Sequence, residues 1–64
     1  MKRSIVKIQG FYKRQLISAG EFLQLAEEST AERWNCGEIS IRQARRIMAS
    51  LYIYVSEQEK RRAI

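Results

Sequence analysis

Apolar residues along the chain recur at helical rather than strand spacing. From about Ser4 to Ser18, the residues Ile5, Ile8, Phe11, Tyr12 and Leu16, followed by Ala19, share an arc of roughly 140° at 100° per residue. Lys7 and Arg14 lie opposite, as a solvated face requires. A strand over Arg3 to Gln9 is the competing pattern, with Ser4, Val6 and Ile8 alternating against Arg3, Ile5 and Lys7. Both of those faces hold an apolar residue, and the helical stripe continues past Gly10, so the spacing predicts a helix.

A second segment opens at Glu21 and runs through Phe22, Leu23, Leu25 and Ala26. Its periodicity weakens over Glu27 to Thr30. It either continues to Trp34 or breaks, with a short extra helix starting at Ser29. Asn35-Cys36-Gly37 is the clearest stop, because Asn and Gly tolerate the left-handed conformation that ends helices. In the third segment Ile41, Ala44, Ile47, Met48, Leu51, Tyr52, Tyr54 and Val55 fill an arc of about 160°. Within it Ile41, Ala44, Met48, Leu51 and Val55 keep the 3-4 spacing of a short coiled-coil seam. Leu51 to Val55 has high β propensity, but helix formers flank it on both sides.

Serine supplies the start signals. A capping box pairs a Ser or Thr with a Glu or Gln three residues on, each satisfying the other's free backbone N–H. Ser18–Glu21, Ser29–Glu32, Ser40–Gln43 and Ser56–Glu59 all match. Ser18 and Ser40 are the expected caps, because each precedes a periodic segment, whereas Ser56 falls inside one. The expected fold is all-α: a single domain over residues 1–64, built as a compact bundle of three short helices, or four if the second segment breaks.

Composition sharpens this picture. The chain has no Pro, His or Asp, so its acids are all Glu, which suits helix interiors. A domain of this size buries only about 60% of the surface its unfolded chain exposes. Such folds usually add a disulfide, a metal or a partner subunit. The single Cys36 cannot form an internal bridge, and without His a zinc site has too few ligands. Regular helix packing and self-association remain, so a homodimer is expected, with no metal and no cofactor. The longest apolar run, Leu51 to Val55, is far short of the roughly 20 residues of a membrane span. Met1-Lys2-Arg3 followed by Ile5 and Val6 looks like the start of a signal peptide, but Lys7, Gln9, Lys13 and Arg14 interrupt it. The cytoplasm is the expected compartment, in keeping with one unpaired Cys.

Net charge is +5, and it is segregated. Residues 1–20 carry Lys2, Arg3, Lys7, Lys13 and Arg14 without an acid. Residues 21–38 carry Glu21, Glu27, Glu28, Glu32 and Glu38 against Arg33, and residues 39–56 carry Arg42, Arg45 and Arg46 alone. These three arginines fall within about 100° of one another, opposite the Ile41/Ala44/Met48 stripe. Planar guanidinium forks can meet phosphate oxygens or a guanine edge in bidentate fashion. The competing reading pairs them with the glutamates of the second segment.

Ile39 to Ile47 resembles the recognition helix of a helix-turn-helix: Ser40 as cap, Arg42 and Gln43 toward base edges, Ala44 and Ile47 inward. The preceding half departs from that pattern, with Arg33 and Trp34 where an apolar and a small residue should pack. A ribbon-helix-helix dimer would need the strand at Arg3 to Gln9. With no His there is no Ser/His/Asp or Cys/His constellation, and Gly10, Gly20 and Gly37 form no phosphate loop. Glu27 and Glu28 point about 100° apart and read as a solvated face. Cys36 reads as a small residue packed at a helix end, rather than a reactive thiol beside Arg33.

A non-enzymatic role follows, in one of three forms. In the first, a small dimeric DNA-binding regulator uses Arg42, Gln43, Arg45 and Arg46 for base or phosphate contact. Lys60, Lys13, Arg14, Lys2 and Arg3 then supply phosphate attraction. In the second, an interaction module docks on another protein through amphipathic helices; an acidic protein surface is a natural partner. Trp34, Met48, Leu51, Tyr52 and Val55 are the expected interface residues, and Trp34 becomes an anchor if it is exposed. RNA binding is third, since only Phe11-Tyr12-Lys13-Arg14 interleaves aromatic and basic residues.

Overall fold

A computed structural model describes residues 5–62. Within it α1 spans Ile5–Lys13, α2 spans Ala19–Asn35 and α3 spans Ile41–Arg62, with no strand among the described residues. The all-α expectation holds. Residues 5–9 of the strand alternative are helical, while Arg3 and Ser4 lie outside the described residues.

Each helix end has a local cause. Ser18 caps α2, its Oγ accepting from the Glu21 N–H at 3.2 Å. Before α3 the capping box is complete: Ser40 Oγ accepts from the Gln43 N–H at 3.2 Å, and Gln43 Oε1 accepts from the Ser40 N–H at 2.8 Å. At the other end of α2, the Gly37 N–H donates to Trp34 O and the Glu38 N–H to Arg33 O, with Gly37 at φ +78°. This is a Schellman stop.

Helix α1 ends the same way, and earlier than the stripe predicts. Gln15 N–H reaches Tyr12 O, Leu16 N–H reaches Phe11 O, and Gln15 itself adopts φ 61°. A glutamine in the left-handed region gives no sequence signal, so the expected run to Ser18 is cut short at Lys13. Leu16 is left exposed, and Phe11 stands at the edge with the Arg14 guanidinium 5.8 Å from its ring centroid. Neither joins the core the stripe implied.

The four-helix alternative is corrected too. Helix α2 runs unbroken through Ser29, because Ser29 and Thr30 are buried on its core side. Thr30 Oγ1 donates to Ala26 O at 2.7 Å, so its hydroxyl is satisfied inside the helix. Small side chains on this face, with buried Ala44 on α3, let the two helices approach closely.

The core is aromatic. Tyr12 and Phe22 are fully enclosed and stack at 5.0 Å between centroids, 11° from parallel. Tyr54 meets both rings edge-on at 6.1 and 6.3 Å. Ile8, Ala26, Leu51 and Val55 complete the cluster. Below it Tyr12 Oη donates to Glu59 Oε1 at 2.7 Å, while Arg62 donates to Tyr12 O at 3.0 Å and lies 4.6 Å from its ring centroid. This clamp ties α1 to the far end of α3.

The Cα envelope measures 41 × 24 × 15 Å. Packed helices sit about 8–10 Å apart and each Cα cylinder adds about 2.3 Å, so the short dimension holds two layers and no third. Helix α1 covers one face of the α2/α3 pair.

Candidate functional site

The opposite face of that pair carries an apolar groove of about 440 Å³. Ala31 and Trp34 from α2 form one wall, Met48, Ala49 and Tyr52 from α3 the other, and the floor is Thr30 and Ala44. No α1 residue reaches it. Trp34 is 46% exposed and Tyr52 52%, values high for large aromatic side chains on a folded domain. Glu27 stands on the α2 rim and Arg45 on the α3 rim.

The expected interface residues therefore divide. Trp34, Met48 and Tyr52 share this groove, whereas Leu51 and Val55 are buried in the chain's own core and offer no surface. Ile41, counted in the seam, is 40% exposed. Sequence reasoning missed Glu27, Ala31 and Ala49. Alanine contributes little to an apolar arc, but Ala31 precedes Trp34 by three residues and Ala49 precedes Tyr52 by three, a spacing that places each pair on one side of its helix.

The cationic candidates divide as well. Arg42, Arg45 and Arg46 are all exposed in the first turn and a half of α3. None lies within ion-pair distance of a carboxylate among the described residues, nor do Glu27, Glu28 and Glu32 find a cation there; Arg62 and Glu59 do pair, at 3.5 Å. The expected alternative of arginines neutralised by α2 glutamates is not what the fold provides. Gln43 is not free to read a base edge while its amide oxygen caps Ser40.

Lys60 lies at the other end of α3, about 22 Å along the axis from Arg45 at 1.5 Å per residue. Lys13 and Arg14 are placed near that same distant end by the Tyr12–Glu59 bond. Arg14 is also engaged, its Nε donating to Gly10 O at 3.3 Å. The seven predicted contact residues thus form two clusters rather than one patch. Lys2 and Arg3 lie outside the described residues. On α3, Arg42, Arg46 and Lys60 share the outward stripe with Ile53, which is 62% exposed.

Cys36 is exposed at the end of α2 rather than packed. No group of His, Cys, Asp or Glu among the described residues is placed to hold a metal ion, and no helix there is long and apolar enough to cross a membrane. Comparison with protein-family models, curated proteins and solved structures finds no match for the chain.

Proposed function

We propose that this chain is a small non-catalytic DNA-binding regulatory protein that meets phosphates and base edges through the start of α3. The observation that carries the reading is the set of three exposed guanidinium groups, Arg42, Arg45 and Arg46, none of them paired with an acid among the described residues. Guanidinium clusters are poor helix-N-terminal stabilisers, because the macrodipole disfavours cations there. Three in one short stretch of α3 therefore suit an external anion better than they suit the helix.

The test is binding to a short duplex, followed by anisotropy across rising salt. A steep negative slope of log K against log salt is expected, and Arg42→Ala with Arg46→Ala should flatten it by about two units, each lost phosphate contact contributing about 0.9. A flat plot, or no binding near 50 mM salt, removes the reading.

One observation favours a second reading, an interaction module for another protein: the open groove with Trp34 and Tyr52 on its walls. The two separate cleanly, since groove binding depends on those aromatics and little on salt, while phosphate contact depends on Arg42 and Arg46.

A further inference from the structure

The groove between α2 and α3 is an apolar surface with unlike charges on its two rims, and that pattern describes its occupant. Its walls carry Trp34, Met48 and Tyr52, its floor Ala44, and among the described residues no third helical layer lies above it. The α2 rim bears Glu27, which has no ion-pair partner among the described residues. The α3 rim bears Arg45, likewise without one among the described residues. An acidic partner would meet repulsion along α2, and a basic one along α3. A surface with one wall of each sign suits both.

We propose that the groove docks a second copy of this chain, across a two-fold axis running roughly along the groove. Such an axis lays α2 of one protomer over α3 of its partner, the isologous arrangement in which one patch meets itself. Glu27 of each copy then faces Arg45 of the other. Glu27 and Arg45 are offset by about 6 Å along the groove, counting residues back from the α2–α3 loop at 1.5 Å each, which a long arginine side chain spans. Trp34, Met48 and Tyr52 of both copies close over the two grooves and leave the water they face in the single chain. This docking does not depend on DNA. Arg45 is enclosed at the rim, whereas Arg42 and Arg46 point some 80–120° away from the groove and stay outside.

Sedimentation equilibrium of the full chain between about 1 and 500 µM measures the association directly. Emission of Trp34 reports its place, since it is the one tryptophan and stands on the groove wall. We expect a dimer of twice 7.6 kDa, with Trp34 emission moving to the blue over the same concentration range. Arg45→Glu alone and Glu27→Arg alone should each weaken association roughly tenfold, two rim pairs each contributing about a factor of three. The double variant Glu27→Arg with Arg45→Glu should restore it. Ala49→Glu, at an exposed helical position that tolerates Glu, should abolish the dimer while leaving the circular dichroism of the single chain intact.

A chain that stays monomeric, with constant Trp34 emission, overturns the proposal and leaves the groove to a different protein. So does a dimer indifferent to Ala49→Glu, or a double variant no better than the singles. Duplex binding by a monomer would leave the DNA reading standing while this proposal fails, and a dimer that ignores DNA would do the reverse.

Discussion

Replacing Tyr12 by Phe isolates the clamp between α1 and the end of α3. The ring is fully enclosed and its stack on Phe22 does not need the hydroxyl, so the change removes Oη and little else. What goes is a 2.7 Å hydrogen bond to Glu59. Bonds to charged acceptors contribute about 1.5–3 kcal/mol net, and the Glu59 side chain, 46% exposed, recovers water once released, so a loss of about 1–1.5 kcal/mol is expected at neutral pH.

The pH dependence is more diagnostic. Burial first, then the hydrogen bond to Glu59 and that carboxylate's charge, push the Tyr12 hydroxyl from 10.0 up to about 12, with the Arg62 guanidinium pulling the other way. The folded protein therefore keeps this proton where the unfolded chain gives it up. Stability from that preference is complete below pH 10 and is lost as the pH climbs from 10 towards 12. Two units correspond to about 2.7 kcal/mol as a ceiling. Urea titrations of both proteins, followed by circular dichroism from neutral pH to about 11.5, give the difference directly. The wild-type advantage should narrow above pH 10 and close by the top of the range. Two stability curves that run parallel throughout would falsify the clamp.

Three further substitutions probe the remaining local devices. Ser40→Ala opens the reciprocal capping box before α3 and should cost about 1 kcal/mol, read as a fall in Tm of about 4–8 °C for a domain this small. Gln15→Gly places the natural left-handed residue at the end of α1, where φ is 61°, and should raise Tm by the equivalent of a few tenths to about 1 kcal/mol. Tyr54→Phe removes a hydroxyl that is buried without a hydrogen-bond partner among the described residues, so Tm should hold or rise, in contrast to Tyr12→Phe. A clear loss at Tyr54 would mean that Oη has a partner the packing does not reveal.

How much of this was readable from the sequence depended on where the information was stored. The extent of the third helix was legible, because Ser40 and Gln43 announce its start, but Leu51 and Val55, expected at an interface, proved to mark its inner side with Ala44. The end of α2 was legible through Gly37. The end of α1 was not, since Gln15 takes up a backbone conformation that its side chain does not advertise. The core side of α2 was obscured for a different reason: a close helix crossing selects Ala26, Ser29 and Thr30, residues a hydrophobicity pattern discounts. The arginine cluster was visible at once, but its separation from Lys13, Arg14 and Lys60 follows from the chain's second reversal and from a bond spanning Tyr12 to Glu59.

The same small residues account for the groove. Because α2 and α3 meet through Ala44 and Thr30, little side-chain volume stands over their seam, while Trp34, Met48 and Tyr52 rise on either side of it. Helix α1 fills the corresponding hollow on the other face with Ile8 and Tyr12. Nine residues of α1 can cover only one face, so among the described residues the second remains apolar and open. The charge layout acts on that geometry. From the basic, acidic, basic order along the sequence the groove takes one charge per helix, Glu27 on the α2 rim and Arg45 on the α3 rim. Without ion-pair partners among the described residues, Glu27 and Arg45 select for a partner that carries both signs, and the outward Arg42 and Arg46 remain available to an anion whichever partner fills the groove.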